Sequence, residues 1–173
     1  MHIAENLSEL IGHTPLVRIN KLNPGPGAIY AKLEMFNPYS IKDRAAQNML
    51  AAAEKQGLLK PGGHIVEPTS GNMGIALAFL AAVKGYAITL TMPENMSPER
   101  VKMLKALGAN IVLTPAQAGM KGAIEKAQEI LAQTPGAFMP SQFENPANAQ
   151  AHRQTAQEIL NALDGKVDTL VCG

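Results

Sequence analysis

The chain has 173 residues, 46% of them apolar and 17% charged, with a formal net charge of +1. That supplies a core for one domain, or for two small ones flanking a cleft, and the balanced charge argues against a nucleic-acid or acidic-membrane partner. A single cysteine, Cys172, excludes an internal disulfide, and the start lacks a basic then apolar leader, so a soluble cytoplasmic protein is expected.

Ile3, Leu7, Leu10 and Ile11 recur at helical spacing, so residues 3–12 are expected to form a short helix ended by Gly12. Residues 14–19 read as a strand opened by Pro15, and 23–27 as a Pro/Gly turn. Residues 28–35 read as a second strand with Ile29, Ala31, Leu33 and Met35 on one face. A helix is expected over 41–56, with Ser40 as its cap, Asp43 in its first turn and Ala45, Ala46, Met49, Leu50 and Ala53 as its buried stripe. Lys42 is out of place there, because a cation in the first turn opposes the helix dipole; such a charge is either simply solvated, the ordinary case, or held there for a purpose.

Next comes a short apolar run, 64–67, then Pro68-Thr69-Ser70-Gly71-Asn72-Met73-Gly74, then a helix over 75–84 that is apolar on nearly every face. A strand, a small-residue loop and a helix N-terminus make a ready anion site, with Thr69, Ser70 and Asn72 adding side-chain donors. The plainer alternative is a helix start capped by Ser70 or Asn72. Residues 87–92 read as a strand, and Ser97-Pro98 opens a helix lined by Val101, Leu104 and Leu107. A strand over 110–113 is followed by a helix over 118–132 with Ala123, Ile124, Ala127, Ile130 and Leu131 facing inward. A short strand over 137–139, a polar loop over 142–146, a helix over 147–163 and a buried strand over 166–172 complete the chain, with Cys172 as an inert buried thiol. The alternation predicts an α/β fold of parallel sheets with helices on both faces. Ligands in such sheets sit at loops beyond the strands' carboxyl ends, so the loops at 37–40, 68–74 and 142–146 are expected to share a cleft.

Several site patterns are absent: no G-x-G-x-x-G, no P-loop and no G-x-S-x-G elbow. His2, His13, His64 and His152 lack zinc-ligand spacing; His152, inside a helix, reads either as contacting the cleft or, the favoured alternative, as a surface or capping residue. Tyr39 reads equally as a lid over the cleft or as packing.

Three motifs taken together resemble one family. They are Asn37-Pro38-x-Ser40-Ile41-Lys42-Asp43-Arg44, Glu67-Pro68-Thr69-Ser70-Gly71-Asn72-x-Gly74, and Gln142-Phe143-x-Asn145-Pro146-Ala147-Asn148. Along the whole chain they are similar to the cysteine synthases (O-acetylserine sulfhydrylases), pyridoxal-phosphate enzymes of the tryptophan-synthase-β type. The resemblance implies fold type II, with a smaller domain over 44–147 and a larger one represented by 1–43 and 148–173. It implies that Lys42 carries pyridoxal 5'-phosphate as a Schiff base and then removes the substrate α-proton. It further implies that Asn72 contacts the cofactor's ring oxygen, and that Thr69, Ser70, Gly71, Met73 and Gln142 hold the substrate carboxylate. The implied reaction is β-replacement, making L-cysteine from O-acetylserine and sulfide through an α-aminoacrylate. A homodimer and binding of the serine acetyltransferase C-terminal tail are implied as partners.

Two departures stand out. The family's loop usually has threonine where this chain has Met73, whose thioether donates no hydrogen bond. In the family the strand matching 167–172 leads into a phosphate-binding glycine loop, and this sequence ends at Gly173; weak cofactor binding and poor turnover are therefore expected of these residues alone. Other readings are a cystathionine β-synthase-like or O-phosphoserine-using sibling, or a non-catalytic binding or regulatory protein. A nucleotide-binding α/β domain fits the pattern but lacks its glycine fingerprint.

Overall fold

A computed structural model describes residues 3–69 and 71–172; Met1, His2, Ser70 and Gly173 lie outside the described residues. The architecture is α/β. Strand β1 (Leu16–Ile19) pairs antiparallel with β2 (Ile29–Lys32). Helix α1 (Lys42–Lys55) then leads to a parallel sheet of β3 (His64–Pro68), β4 (Ala87–Pro93) and β5 (Asn110–Thr114), in that order. Helix α2 (Asn72–Lys84) connects β3 to β4, and α3 (Pro98–Ala106) connects β4 to β5. Helix α4 (Gly119–Gln133) returns across the sheet, and α5 (Pro146–Ala162) follows. None of the helices described is long and apolar enough to cross a membrane.

The winding follows from strand order. The chain steps from β3 outward to β5, then comes back so that Phe138 bridges Ile65 on the other edge of β3, exchanging bonds with Val66 N–H (2.9 Å) and the His64 carbonyl (2.8 Å). Right-handed crossovers in opposite directions must pass over opposite faces. Accordingly Ile88, Leu90 and Met92 of β4 point into the core shared with Leu77 and Leu80 of α2. The alternate residue Thr91 faces α4, donating its hydroxyl to the Ala123 carbonyl at 2.7 Å. Helix α2 is buried at eight positions, from Met73 to Ala81, because sheet, α1 and α3 all pack against it. The expected α1 stripe is buried throughout and meets α2 and α5.

Four expectations are corrected. Residues 166–172 form no strand, and Val167, Leu170, Val171 and Cys172 are exposed; apolar composition permits a strand, but a strand also needs a ladder partner, and no described strand runs beside it. Ile124 points outward at 41% exposure, because the buried seam of α4 is the narrow Ala123–Ala127 line. Strand β2 ends at Lys32, and Glu34–Phe36 form a single 3-10 turn with Met35 exposed, since the Glu34 carboxylate is drawn inward to Arg44. The expected helix over 3–12 is a 3-10 turn at Leu7–Leu10, with only Ile11 of its apolar set buried.

Candidate active site

Lys42 opens α1, and its setting is fixed by its neighbours. Ser40 Oγ accepts the Lys42 N–H (3.1 Å), while Asp43 Oδ2 reaches back to the N–H groups of Ser40 (3.1 Å) and Tyr39 (2.8 Å). This is a reciprocal capping box, so Ser40 has the capping chemistry expected of it although Ile41 stands at the cap position. Burial pushes the Asp43 carboxyl up, partly offset by those two N–H bonds, and its Oδ1 is buried without a partner. The Lys42 side chain is half-buried, and its amine forms no hydrogen bond or ion pair among the described residues.

One residue further on, Arg44 is the hub of a buried ionic cluster. Its guanidinium binds Glu34 (2.7 and 3.0 Å) and Glu158 of α5 (2.9 and 2.7 Å) with both prongs of each carboxylate. Lys32 and the His13 N–H complete Glu158 at 2.6 and 2.9 Å. Burial alone would raise Glu158, but bonds from Arg44, Lys32 and His13 outweigh it and bring its pKa to about 2. This cluster ties the start of α1 to α5 and to the chain before it. His152 of α5 lies in the same field: burial, then the charges of Arg44 and Lys42, hold its imidazole below the usual histidine range. The histidine is half-buried and within reach of the Lys42 charge, which accords with the cleft-side alternative more than with a surface position.

The loop after β3 is tighter than expected. Helix α2 starts at Asn72, so Asn72, Met73 and Gly74 form its first turn. Gly71 holds the cap position without a capping side chain, and Thr69 substitutes. Its buried Oγ1 accepts the N–H of Gly74 (3.1 Å) and of Gly71 (3.3 Å), leaving the hydroxyl proton to donate. The approach is so close that a Cβ at Gly74 would lie 2.4 Å from Thr69 Cγ2. Asn72 is exposed at the helix start. Met73 is turned the other way, 2% exposed inside the core, so only its main chain faces the turn. Helix geometry leaves the first-turn N–H groups of Asn72 and Met73 without intrahelical partners. Ser70, the remaining expected contact, lies outside the described residues.

Gln142 is half-buried on the loop before α5. Its N–H and that of Ser141 are received by Glu67, at 3.4 and 3.0 Å. Its carbonyl accepts from Asn148 Nδ2 at 2.7 Å, and Asn48 of α1 reaches the Ala147 carbonyl at 2.6 Å. The end of β3 is therefore bonded to the start of the 142–146 loop, and the first turn of α5 is tied to α1. Tyr39 packs its ring on Phe79 of α2, centroids 5.2 Å apart, the packing alternative of its two readings. Glu67 and Asn148 stand in the sequence motifs without an assigned role, because their partners lie far off or on the main chain. Glu67 ends an apolar run, where a charge ordinarily marks the edge of a strand.

A doubly wound sheet, with a lysine at one helix start and an anion-ready turn at another, defines an α/β ligand-binding domain with fold type II organisation. The model of the family described as pyridoxal-phosphate dependent enzyme matches residues 7–173, and the chain belongs to that family. Cysteine synthase A of Escherichia coli K12 is 56% identical over 174 residues, covering 99% of this chain and 53% of its own. A cysteine synthase of Entamoeba histolytica superposes with a TM-score of 0.91 at 46% identity, over 96% of this chain and 52% of its own. A hydrogen sulfide-producing enzyme of Fusobacterium nucleatum does so with a TM-score of 0.87 at 45% identity, over 96% and 56%. The chain thus spans about half the length of the relatives it matches.

Proposed function

We propose that the protein is a pyridoxal 5'-phosphate-dependent β-replacement enzyme making L-cysteine from O-acetylserine and sulfide. The observation that carries this reading is that a member of this family has a Lys42 amine without a hydrogen bond or ion pair among the described residues at one helix start, and the Thr69-capped turn at another. The residues fit the cofactor: a primary amine to condense with its aldehyde, an exposed Asn72 amide for its ring oxygen, and the open N–H groups of the α2 start for an anion. When bound, the cofactor supplies an electron sink that makes the substrate α-proton removable.

The chain's own groups do the rest. The Thr69 hydroxyl, the N–H groups at Asn72 and Met73, and the Ser70 and Gln142 side chains hold the substrate carboxylate, the Gly71 N–H being taken by Thr69 Oγ1. Met73 contributes through its main chain, its side chain being buried in the core. Lys42 Nζ would take the α-proton of the substrate held there. Acetate leaves with the Cβ–O electron pair, sulfide forms the new Cβ–S bond, and Lys42 returns its proton to Cα. Closure of the turn on the carboxylate would exclude water.

The same turn suits the C-terminal carboxylate of a serine acetyltransferase tail, and a cytoplasmic homodimer with domains divided at 43/44 and 147/148 accords with the reading. The likeness to a hydrogen sulfide-producing enzyme, together with Met73, favours a sibling β-replacement as the second reading. The test is absorption spectroscopy of the purified protein with added cofactor. A visible band that Lys42→Ala abolishes, and that O-acetylserine shifts more readily than O-phosphoserine or serine, supports the reading. A band that survives Lys42→Ala refutes it.

A further inference from the structure

Glu67 is a buried carboxylate, 1% exposed, with no cationic partner among the described residues. Both its oxygens are instead occupied by consecutive main-chain N–H groups, Ser141 at 3.0 Å and Gln142 at 3.4 Å. A lone buried carboxyl is a costly way to hold a loop, since a well-packed apolar contact would stabilise more. Its advantage is direction, because only an acceptor with two oxygens fixes two successive N–H groups at once. The segment it holds needs fixing. Ser141 has φ +50°, a left-handed conformation uncommon outside glycine. Phe143, the next residue after Gln142, is 95% exposed and has no packing to hold it. From the opposite side Asn148 grips the Gln142 carbonyl at 2.7 Å, itself anchored on α5 behind the Asn145 cap. The main chain of Gln142 is thus gripped at its N–H from β3 and at its carbonyl from α5.

We infer that Glu67 and Asn148 are a pair of positioning residues that set Gln142 against the Thr69–Gly74 turn, so that strand β3 carries both halves of the substrate-carboxylate clamp on one rigid end. This rests on the substrate role proposed for Gln142. Glu67 lies two residues before Thr69, so the strand end that aims the turn also sets the register of Gln142.

The test uses Glu67→Gln, in which the amide nitrogen faces one of the two N–H groups, and Asn148→Ala, in the whole protein with cofactor. Amide hydrogen exchange at Ser141 and Gln142 is expected to quicken about tenfold in each variant, the scale of one lost charge-assisted or buried hydrogen bond. KM for O-acetylserine is expected to rise about tenfold with kcat changed less than about twofold, the mark of lost binding rather than lost chemistry. Faster exchange with an unaltered KM overturns the inference, as does unaltered exchange. Where Glu67→Gln does not fold, Asn148→Ala carries the same readouts with the same two refuting results. Should the unaltered protein turn over none of the serine esters, the proposed function fails. Exchange at 141–142 then decides only whether Glu67 and Asn148 position Gln142, faster rates supporting that positioning and unchanged rates overturning it.

Discussion

Gly74→Ala should destabilise the protein, although alanine is ordinarily the better helix former. The added Cβ would lie 2.4 Å from Thr69 Cγ2, 2.9 Å from its Oγ1 and 3.1 Å from its Cβ. Carbon contacts are comfortable near 3.5–4.0 Å, so a shift of about 1 Å is required. A flexible side-chain tip would yield, but Thr69 is 3% exposed and its Oγ1 is held by the N–H groups of Gly71 and Gly74. Overpacking of this kind costs about 1–3 kcal/mol, and losing the two cap bonds adds about 1 kcal/mol each. Against that stands about 1 kcal/mol or less of helix propensity. The net loss should be roughly 2–4 kcal/mol, read as a lowered urea midpoint with an unchanged slope. In a Thr69→Ala background only the 3.1 Å Cβ contact remains, so the same substitution should cost little. A coupling of about 1 kcal/mol or more between the two sites is therefore expected. If Gly74→Ala stabilises the wild-type background, or if the two changes add, Thr69 is not the residue that caps α2.

Glu67 gives stability an unusual pH dependence. Burial, partly offset by the Ser141 and Gln142 N–H bonds, raises its pKa from 4.5 to about 7. Between those values the native carboxyl keeps a proton that the unfolded one has lost, so stability falls as pH rises from 4.5 to 7, by up to about 3 kcal/mol from this group. Urea titrations from pH 5 to 8 should show that slope in the wild type and not in Glu67→Gln; equal slopes would place the titration elsewhere. Glu158 acts in the opposite sense, since its pKa near 2 gives stability that is present above 4.5 and lost as pH falls toward 2. Arg44→Met should cost about 3–5 kcal/mol, because it leaves Glu34 and Glu158 buried with only Lys32 to compensate. The Glu34→Gln/Arg44→Met double variant should recover part of that loss in the same urea titrations.

The parts legible in the sequence were those carried by local periodicity. The α1 stripe, the all-round apolar α2, the Ser97-Pro98 start of α3 and the alternation that dictates a doubly wound sheet needed only spacing and cap chemistry. What was not legible depends on partners distant in sequence. Residues 166–172 have strand composition, yet a ladder partner is not written in composition. Arg44 binds Glu158 across 114 positions, and Glu67 binds Gln142 across 75, so neither pairing leaves a local signature. A cap is ordinarily adjacent to its helix, which makes Ser70 or Asn72 the natural capping alternative for α2; Ser70 lies outside the described residues and Asn72 is itself the first helical residue. Thr69 accepts the Gly71 and Gly74 N–H groups from further back because Gly74 lets its hydroxyl approach.

Met73 shows why the motif could be recognised while one of its side chains departs from the family's usual choice. A side chain at the second position of α2 points back into the core here, so its identity answers to packing among Leu77, Leu80 and their neighbours. The N–H of that residue answers to helix geometry alone and is present whatever the side chain. An anion bound at the turn would draw on the Thr69 hydroxyl and on main-chain N–H groups, and exchanging a hydroxyl for a thioether at 73 removes none of these. The substitution therefore bears on how α2 packs against β4, and through that on how freely the turn can close. It leaves the main-chain donors of the turn unchanged.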